Sequence, residues 1–221
     1  MPHFAHHSEE NYLKTLFRLS NKEIKKVNNI ALAKALKLNP ATVLEMVRKL
    51  AAKNLVEIKP DKSILLTEKG KKKALLIIRK HRLWEVFLVE KLQYKWNEVH
   101  ELAEQLEHIE SQDMIDRLES FLGYPAFDPH GDPIPDKSGR LKVNLSMPLS
   151  NCQQKKNYKV ISLAETSDAF LDYLGKLNIK PGTKLKITGQ HAYDQSCTVL
   201  IQKKSIQLSE KVARNILVQP A

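Results

Sequence analysis

Histidines and carboxylates recur at helical spacing in one stretch of the chain, and six of them could bind a metal ion. The six residues are His81, Glu85, His100, Glu104, Glu107 and His108. The first two are four residues apart, and the last four stand at positions i, i+4, i+7 and i+8, so each set would share one face of a helix. Imidazole nitrogens and carboxylate oxygens are ligands that divalent transition metals bind.

Two helices must bring these side chains together. If they pack antiparallel across the short link Gln93–Trp96, the imidazoles and carboxylates converge, and the spacing predicts a metal site. Apolar residues such as Leu83, Phe87, Leu102 and Leu106 alternate with the polar ones, which favours a packed pair of helices. The alternative is that the polar residues lie on solvated helix faces, where Glu and His are common.

Composition and charge narrow the class of protein. The chain has 221 residues, 42% of them hydrophobic, which is enough for two or three small domains. Its formal charge of +11 is typical of proteins that bind a polyanion, although many basic proteins have no such partner. No apolar run approaches the ~20 residues of a membrane helix, and the N-terminal stretch lacks the features of a signal peptide. We therefore expect a cytoplasmic protein in which Cys152 and Cys197, which form no CxxC pair, are free thiols.

The first third of the chain has the pattern of three helices. Ser8 is a candidate cap of the first helix, and Lys22–Asn28 is predicted to be a loop. Asn28 or Asn29 can cap a second helix, and Pro40 fits the start of a third, where its missing N–H costs nothing. The predicted inward-facing residues of the second helix are Ile30, Ala33 and Leu36. Those of the third helix are Val43, Met46, Val47 and Leu50.

Two short β-prone runs follow, at 55–58 and 63–66, and Lys59–Lys62 between them is a hairpin turn. Packed helices followed by a basic hairpin make a winged helix-turn-helix, whose second helix enters the major groove of DNA. Early residues of that helix meet base edges, whereas basic residues of the helix and wing reach phosphates. The candidates for base edges are Asn39, Ala41, Thr42 and Glu45, and those for phosphates are Arg48, Lys49, Lys59 and Lys62. The alternative is a winged helix that contacts another protein.

The middle third is predicted to be helical and to form a homodimer. The run TEKG at 67–70 caps a long helix that reaches about Glu90, and Ser111 caps a further helix that ends before Gly123. Together with Trp84 and Phe87, the apolar side of this last helix is larger than a small helical layer can bury. Its apolar residues are Met114, Ile115, Leu118, Phe121 and Leu122. A symmetric dimer would also match a palindromic DNA site.

The last third of the chain contains a proline-rich segment followed by a β-prone region. Tyr124–Asn157 contains five prolines and is predicted to be a linker, in which DPHGDPIP at 128–135 is a packed turn and His130 an ordinary surface residue. From Tyr158 onward, short alternating runs separated by turn residues predict a small β-barrel. The fold class is therefore mainly α with a small β part.

Four motifs follow the winged helix in a fixed order: LTEKG at 66–70, RKHRLWE at 79–85, VHELAEQLEH at 99–108 and PHGDPIP at 129–135. With them the chain resembles, over nearly its whole length, the diphtheria toxin repressor and manganese transport regulator family of metal-dependent transcriptional repressors. The resemblance implies a metal-loaded homodimer that binds palindromic operator DNA and represses metal-uptake genes. It also implies an SH3-like barrel at the C-terminus, similar to small ferrous-transport accessory proteins.

The resemblance further implies two metal positions. The ligands of the effector position are Asn11, Glu104, Glu107 and His108, and those of the second position are His81, Glu85 and His100. Iron-sensing members have Met and Cys where this chain has Asn11 and Glu104, and a hard carboxylate suits Mn²⁺ or Fe²⁺, with Zn²⁺, Co²⁺ or Ni²⁺ as substitutes in vitro. Further candidates are Glu9 or Glu10 in place of Asn11, and Glu165 and Asp168 in the barrel.

These inferences divide the chain into a winged helix (1–72), a helical metal-binding and dimerisation domain (73–140), a linker (141–157) and a barrel (158–221). The rival functions are a winged-helix regulator that responds to another ligand, and a di-metal enzyme. The enzyme is disfavoured because Glu104 and His108 are four residues apart, whereas di-iron enzymes need Glu-x-x-His, and no HExxH is present. We therefore predict a repressor without catalytic residues.

Overall fold

The computed structural model describes residues 3–21, 26–141 and 145–221, with side chains from Glu9 onward. Within this described part, the chain forms eight α-helices and eight strands, which fall into two compact units. The first unit contains the chain up to His81 together with 106–110 and 135–141, and the second contains 82–105, 111–134 and 142–221. None of the described helices is long and apolar enough to cross a membrane.

The bounds of these elements are as follows. The helices are α1 (His3–Asn21), α2 (Asn29–Leu36), α3 (Pro40–Ala52), α4 (Glu68–Glu90), α5 (His100–Leu106), α6 (Gln112–Phe121), α7 (Asp168–Lys176) and α8 (Glu210–Arg214). The strands are β1 (Val56–Ile58), β2 (Ile64–Leu66), β3 (Met147–Pro148), β4 (Asn157–Leu163), β5 (Lys184–Gln190), β6 (Cys197–Ile201), β7 (Lys204–Leu208) and β8 (Ile216–Pro220).

The first unit contains the predicted winged helix-turn-helix. Asn28 caps α2 by accepting a hydrogen bond from the Ala31 amide, and Asn39 caps α3 by accepting one from the Ala41 amide. Pro40 occupies the first turn of α3, as its missing N–H predicts. β1 and β2 pair as an antiparallel hairpin. The core of this unit includes Tyr12, Leu13, Leu16, Leu32, Val43, Val47, Leu50 and Ile64.

Two helical details of the first unit differ from the predictions. α1 begins at His3 rather than after Ser8, and part of the predicted loop, 22–25, lies outside the described residues. Ile30, predicted to face inward, is 71% exposed, whereas Leu32 and Ala33 are buried. A helix of only eight residues is too short for apolar periodicity to decide between neighbouring faces.

The second unit contains the predicted small β fold. Its six-stranded antiparallel sheet has the order β3-β8-β4-β5-β6-β7. Buried and exposed residues alternate along β4 and β5, as they do in strands with one solvated face. Residues 147–152, which the sequence analysis assigned to the linker, contribute β3 and the buried side chains of Leu149 and Cys152 to this part of the fold.

The proline-rich segment that precedes the sheet is packed against β4. Gly131 has a φ of +87°, and a Cβ at this position would overlap the carbonyl oxygen of Ile161. Ile161 stands at a β-bulge, because the register of β4 against β8 shifts between Val160 and Ser162. The close approach requires glycine at 131, and it holds the neighbouring residues of the segment in place.

We expect Gly131→Ala to destabilise the fold by ~3 kcal/mol, because the added Cβ combines an unfavourable φ with a backbone clash. Gly123→Ala is the matched control: Gly123 has a φ of +73° but nothing within 4 Å of an added Cβ. The control should cost only ~1 kcal/mol, the price of the left-handed conformation. Chemical denaturation measures both values, and equal losses would contradict the packing described for Gly131.

Candidate metal centre

In the first unit, one face of α1 contacts the turn that follows α5. Glu10 and Lys14 are one helical turn apart and therefore lie on the same face of α1. Glu107 and His108 lie in the turn, because α5 ends at Leu106. The prediction that these two residues continue the helical face of His100 and Glu104 is therefore wrong. The backbone closes a tight turn instead, in which the Ile109 amide donates to the Leu106 carbonyl over 3.2 Å.

Glu10, Lys14, His81, Glu107 and His108 form a first cluster, and Glu107 is its most deeply buried carboxylate. Its side chain is 0% exposed, and each of its oxygens has a partner. Oε1 accepts a hydrogen bond from Lys14 Nζ at 2.6 Å, and Oε2 lies 2.6 Å from His81 Nδ1. A carboxylate removed from water in this way is stable only when it is paired.

Glu10 and His108 form a second close pair in the same cluster. Glu10 Oε2 lies 2.6 Å from His108 Nδ1, and Lys80 Nζ lies 3.8 Å from Glu10 Oε1. Lys80 also donates to the Ile109 carbonyl over 3.3 Å. Both carboxylates of the cluster therefore face one imidazole and one ammonium group.

Asn11 provides a test of whether this cluster suits a metal ion. Its side-chain oxygen Oδ1 is buried and has no hydrogen-bond partner within the described part of the chain. A buried acceptor without a partner is costly, and it calls for a ligand, an ion or a water. Neighbouring Glu9 pairs through Oε1 with Lys53 Nζ at 2.5 Å, and its buried Oε2 likewise has no hydrogen-bond partner among the described residues. An uncommitted amide oxygen beside Glu10 fits the donor set of a divalent cation.

The second unit has a cluster of its own around Glu85, which is buried. Its Oε1 lies 3.4 Å from His100 Nδ1, and its Oε2 lies 3.7 Å from His130 Nδ1. His100 Nε2 is in turn 3.5 Å from Glu104 Oε1. The structure therefore brings Glu85, His100 and Glu104 into one series of contacts, as the spacing predicts.

Three buried residues of this unit could hold an ion. Glu85, Asp128 and His130 each offer one ligand atom, and these atoms lie within 4.8 Å of one another. One imidazole and two carboxylates are a donor set that suits Mn²⁺ or Fe²⁺. We name this group the Glu85–Asp128–His130 cluster.

The segment from Asp128 to Pro133 positions two of these ligands. Asp128 Oδ1 accepts hydrogen bonds from the amides of His130 and Asp132, at 2.8 and 3.0 Å. His130 Nε2 lies 2.9 Å from the Trp96 carbonyl, and its ring stacks on the Trp96 ring with a centroid separation of 6.0 Å. Arg82 pairs with Asp132 at 2.9 Å and binds the Pro133 carbonyl, which fixes the end of the segment.

The charges in this cluster shift the pKa of His130 and the pKa of Asp128. Burial by itself would lower the pKa of His130, but the hydrogen bond and charge of Glu85, together with the charge of Asp128, outweigh it and raise the pKa to about 9. Burial raises the pKa of Asp128 to about 7, and the charges of Glu85 and Asp132 act in the same direction. At neutral pH His130 is therefore itself the cation beside these carboxylates, and a metal ion that bound its imidazole would have to displace a proton.

The prediction that His130 is an ordinary surface residue is wrong, because its side chain is only 5% exposed. Asp128 was missed as well. The available signal was the run DPHGDP itself: a histidine between two aspartates, with Gly131 permitting a close backbone approach.

Glu165 and Asp168 have local roles in the barrel. Glu165 accepts hydrogen bonds from Ser167 Oγ at 2.6 Å and Asn215 Nδ2 at 3.4 Å. Asp168 is exposed in the first turn of α7, where a carboxylate complements the helix dipole. Among the described residues of the second unit, neither joins the Glu85–Asp128–His130 cluster.

The residues predicted to contact DNA lie on the surface of the first unit. Seven of the eight are exposed, and Lys59 is half-buried. The exposed ones are Asn39, Ala41, Thr42, Glu45, Arg48, Lys49 and Lys62. At the wing, Lys59 pairs with Glu57 at 2.6 Å, and Lys26 pairs with Asp61 at 2.7 Å. Such exposed pairs are weak, so phosphates can displace the carboxylates.

An apolar surface remains on α6 and beyond it. Phe121 is 65% exposed, Tyr124 66% and Met114 43%. Phe121 contacts the ring of Phe87, with a centroid separation of 6.4 Å. Trp84, which the sequence analysis grouped with this surface, is instead buried within the unit. These exposed apolar residues make α6 and the chain just after it a candidate surface for association.

Three family models match the chain. One described as "iron dependent repressor, N-terminal DNA binding domain" matches residues 6–64. One described as "iron dependent repressor, metal binding and dimerisation domain" matches 67–136, and the FeoA domain matches 147–220.

The curated relatives match this chain over only part of their own length. The iron-dependent repressor IdeR of Mycobacterium tuberculosis is 35% identical over 126 residues, which cover 57% of this chain and 54% of the relative. The diphtheria toxin repressor of Corynebacterium efficiens is 32% identical over 126 residues, with coverage of 57% and 54%. The chain thus spans about half the length of the curated relatives it matches.

Solved structures match over nearly the full length. A manganese-dependent transcriptional repressor in complex with manganese is 30% identical with a TM-score of 0.86, covering 96% of this chain and 100% of the other. The repressor ScaR with bound Cd²⁺ is 33% identical with a TM-score of 0.79, covering 96% and 99%. The manganese regulator SloR is 32% identical with a TM-score of 0.76, covering 96% and 98%. On this evidence the chain belongs to the family of iron- and manganese-dependent transcriptional repressors to which the diphtheria toxin repressor also belongs.

Proposed function

We propose that this protein is a metal-dependent transcriptional repressor that binds palindromic operator DNA as a metal-loaded homodimer and controls metal-uptake genes. The observation that carries the proposal is the contact between α1 and the turn at Glu107–His108 in the first unit. On its other face, α1 buries Tyr12 and Leu13 in the winged-helix core. A ligand bound at the turn would therefore act directly on the element that supports the DNA-binding helices.

We infer that Mn²⁺ or Fe²⁺ is the effector. The candidate ligands are oxygen and nitrogen donors, which suit these ions, and the two cysteines are buried in the barrel core. Relatives described as iron-dependent and manganese-dependent repressors support this choice. Zn²⁺, Co²⁺ and Ni²⁺ can substitute in vitro, because such sites generally bind them more tightly than Mn²⁺.

The ligands that we propose are those implied by the resemblance, with two additions from the structure. They are Asn11, His81, Glu85, His100, Glu104, Glu107 and His108, with Asp128 and His130 added. The uncommitted Asn11 oxygen and the three converging donors around Glu85 support this set. A bound divalent ion supplies the positive charge that holds carboxylates close together.

The residues of α1 transmit the response. Lys14 and Glu10 hold the outer face of the helix to Glu107 and His108. A rearrangement of these partners moves α1, and its buried apolar face transmits the movement to α2 and α3. Coupling between two such sites is typically worth ~1–3 kcal/mol, or 5- to 150-fold in affinity.

DNA recognition is assigned to α3 and the wing. The exposed N-terminal residues of α3, including Thr42 and Glu45, are placed for base edges, and the basic residues reach phosphates. Two copies of α3 in a dimer would read half-sites one turn apart, about 34 Å. The apolar surface around Phe121 is the face that we assign to the dimer.

We propose a cytoplasmic location and no catalytic activity. A repressor works in the compartment that holds the DNA. The relatives are described as transcriptional repressors, and the candidate ligands are accounted for by metal sensing.

Replacing His108 with Gln should reduce the gain in operator affinity that Mn²⁺ produces by at least about tenfold, since one imidazole ligand is lost. Fluorescence anisotropy with labelled operator, with and without Mn²⁺, measures the gain. His191→Gln, at an exposed histidine of the β5–β6 connection, is the control. A wild-type response in the His108 variant would mean that the effector site lies elsewhere.

His130→Gln tests the Glu85–Asp128–His130 cluster separately. We expect the variant to bind about one Mn²⁺ ion fewer per chain, because the cluster loses its only imidazole. Metal analysis after gel filtration measures the number of ions. An unchanged number would show that this cluster holds none.

Replacing Lys62 with Gln should weaken binding to all DNA sequences alike and lower the salt slope by ~1, as loss of one phosphate contact requires. Lys203→Gln, an exposed lysine at the β6–β7 turn, should leave both quantities unchanged. Salt titrations on operator and random DNA make the measurement. A loss confined to the operator would instead point to base recognition by Lys62.

Phe121→Glu should convert the dimer to a monomer at micromolar concentration, because a carboxylate would be buried in the apolar interface. Light scattering after gel filtration gives the mass. Tyr193→Glu, at a fully exposed tyrosine, should remain dimeric. A Phe121 variant that stays dimeric would move the interface to another face.

A further inference from the structure

Lys14 places an ammonium group on one oxygen of Glu107, a carboxylate that we propose as a metal ligand. Its Nζ donates to Glu107 Oε1 at 2.6 Å, while the lysine side chain is only 17% exposed. The other oxygen, Oε2, is already 2.6 Å from His81 Nδ1. Since Glu107 itself is fully buried, water cannot replace either partner without opening the cluster.

The Lys14 ammonium group and a metal ion cannot occupy the same position at the Glu107 oxygen. An ammonium group has three donors and no acceptor, so it is never a metal ligand. A cation beside a carboxylate weakens the binding of a second positive species to that carboxylate by about 1–3 log units. An ion approaching Glu107 therefore meets a resident positive charge that it must displace.

The other lysines near α1 are engaged less tightly or at another place. Lys80 lies 3.8 Å from Glu10 and also binds a backbone carbonyl. Lys53 pairs with Glu9 at 2.5 Å, but its side chain is 51% exposed, and Glu9 enters the ligand set only as a substitute for Asn11. Lys14 is thus the ammonium group that directly contacts a proposed ligand carboxylate at hydrogen-bond distance in the described part of this cluster.

We propose that Lys14 is a built-in competitor of the effector metal. Its ammonium group holds and neutralises Glu107 until an ion displaces it, so the strength of the Lys14–Glu107 pair sets the metal concentration at which the protein responds. Lys14 is a positioning residue here and touches the ligand rather than the ion. The inference rests on the proposed function and adds a determinant of its metal threshold.

The test compares Mn²⁺ binding by calorimetry in four full-length proteins: wild type, Lys14→Gln, Lys14→Arg and Lys53→Gln. Gln keeps a donor for Glu107 without the charge, so Lys14→Gln should bind Mn²⁺ at least about tenfold more tightly. Arg keeps the charge and should restore wild-type affinity. Lys53→Gln removes an equally short ion pair of α1 and should leave the affinity unchanged.

Thermal unfolding supplies a readout that does not depend on bound metal. In chelator-treated protein, Lys14→Gln should unfold at a lower temperature than wild type, because Glu107 loses its neutralising partner. With saturating Mn²⁺ this difference should disappear, because the ion takes over that role.

The outcomes separate the two proposals. If wild type binds Mn²⁺ and Lys14→Gln binds it with the same affinity, the competitor role is wrong and the proposed function stands. Tightening by Lys14→Arg as large as that by Lys14→Gln would also overturn the role, because charge would not be the cause. A wild type that binds no divalent ion would overturn both.

A measurement on the unmutated protein covers the case in which Lys14→Gln does not fold. An amine-acylating reagent followed by peptide mass spectrometry reports the accessibility of each lysine. Saturating Mn²⁺ should raise the labelling of Lys14 several-fold, whereas Lys53 should not change. Labelling of Lys14 that is independent of Mn²⁺ would contradict displacement.

Discussion

A fully buried carboxylate is the constraint on which the first unit depends. Glu107 is fully buried, and it is stable there because Lys14 of α1 and His81 of α4 each contact one of its oxygens. Ion pairing of this kind is short-ranged and directional, so it fixes the position of α1 against the turn after α5. The same helix forms part of the winged-helix core through Tyr12, Leu13 and Leu16. The chemistry of one buried charge and the support of the DNA-binding helices therefore share one element.

The second unit also contains a buried glutamate, Glu85, but other residues surround it. Glu85 is buried between His100 and His130, and Asp128 lies beside it. The proline-rich segment from Asp128 is ordered because its aspartate caps its own backbone, its histidine stacks on Trp96, and its glycine fits against the bulge in β4. The backbone geometry of this segment thus brings two candidate ligands, Asp128 and His130, to Glu85 of α4, which is far away in the chain.

The carboxylates of the candidate metal clusters and the basic residues of the proposed DNA surface differ in burial. The carboxylates of the two clusters are buried or partly buried and lie 2.6–4.0 Å from their nearest imidazoles, so their partners matter for stability and for ion binding. At the wing, Glu57 pairs with the half-buried Lys59 and Asp61 pairs with the exposed Lys26, and both pairs are weak enough for DNA phosphates to replace the carboxylates. Exposed basic residues of the proposed DNA surface carry part of the formal charge of +11, whereas most carboxylates of the two candidate metal clusters are buried.

The sequence predicted the winged helix and the small β fold, because caps and apolar periods are local properties. It also identified His81, Glu85, His100 and Glu104 as candidate ligands from their spacing. It failed where the outcome depends on long-range packing: α5 ends at Leu106, and His130 is buried against Trp96. No local period reports that a turn replaces a helix, or that a loop histidine lies near a glutamate 45 positions earlier in the chain. These contacts could not be predicted from the sequence, because the free energy of burying a charge depends on neighbours that come from distant parts of the chain.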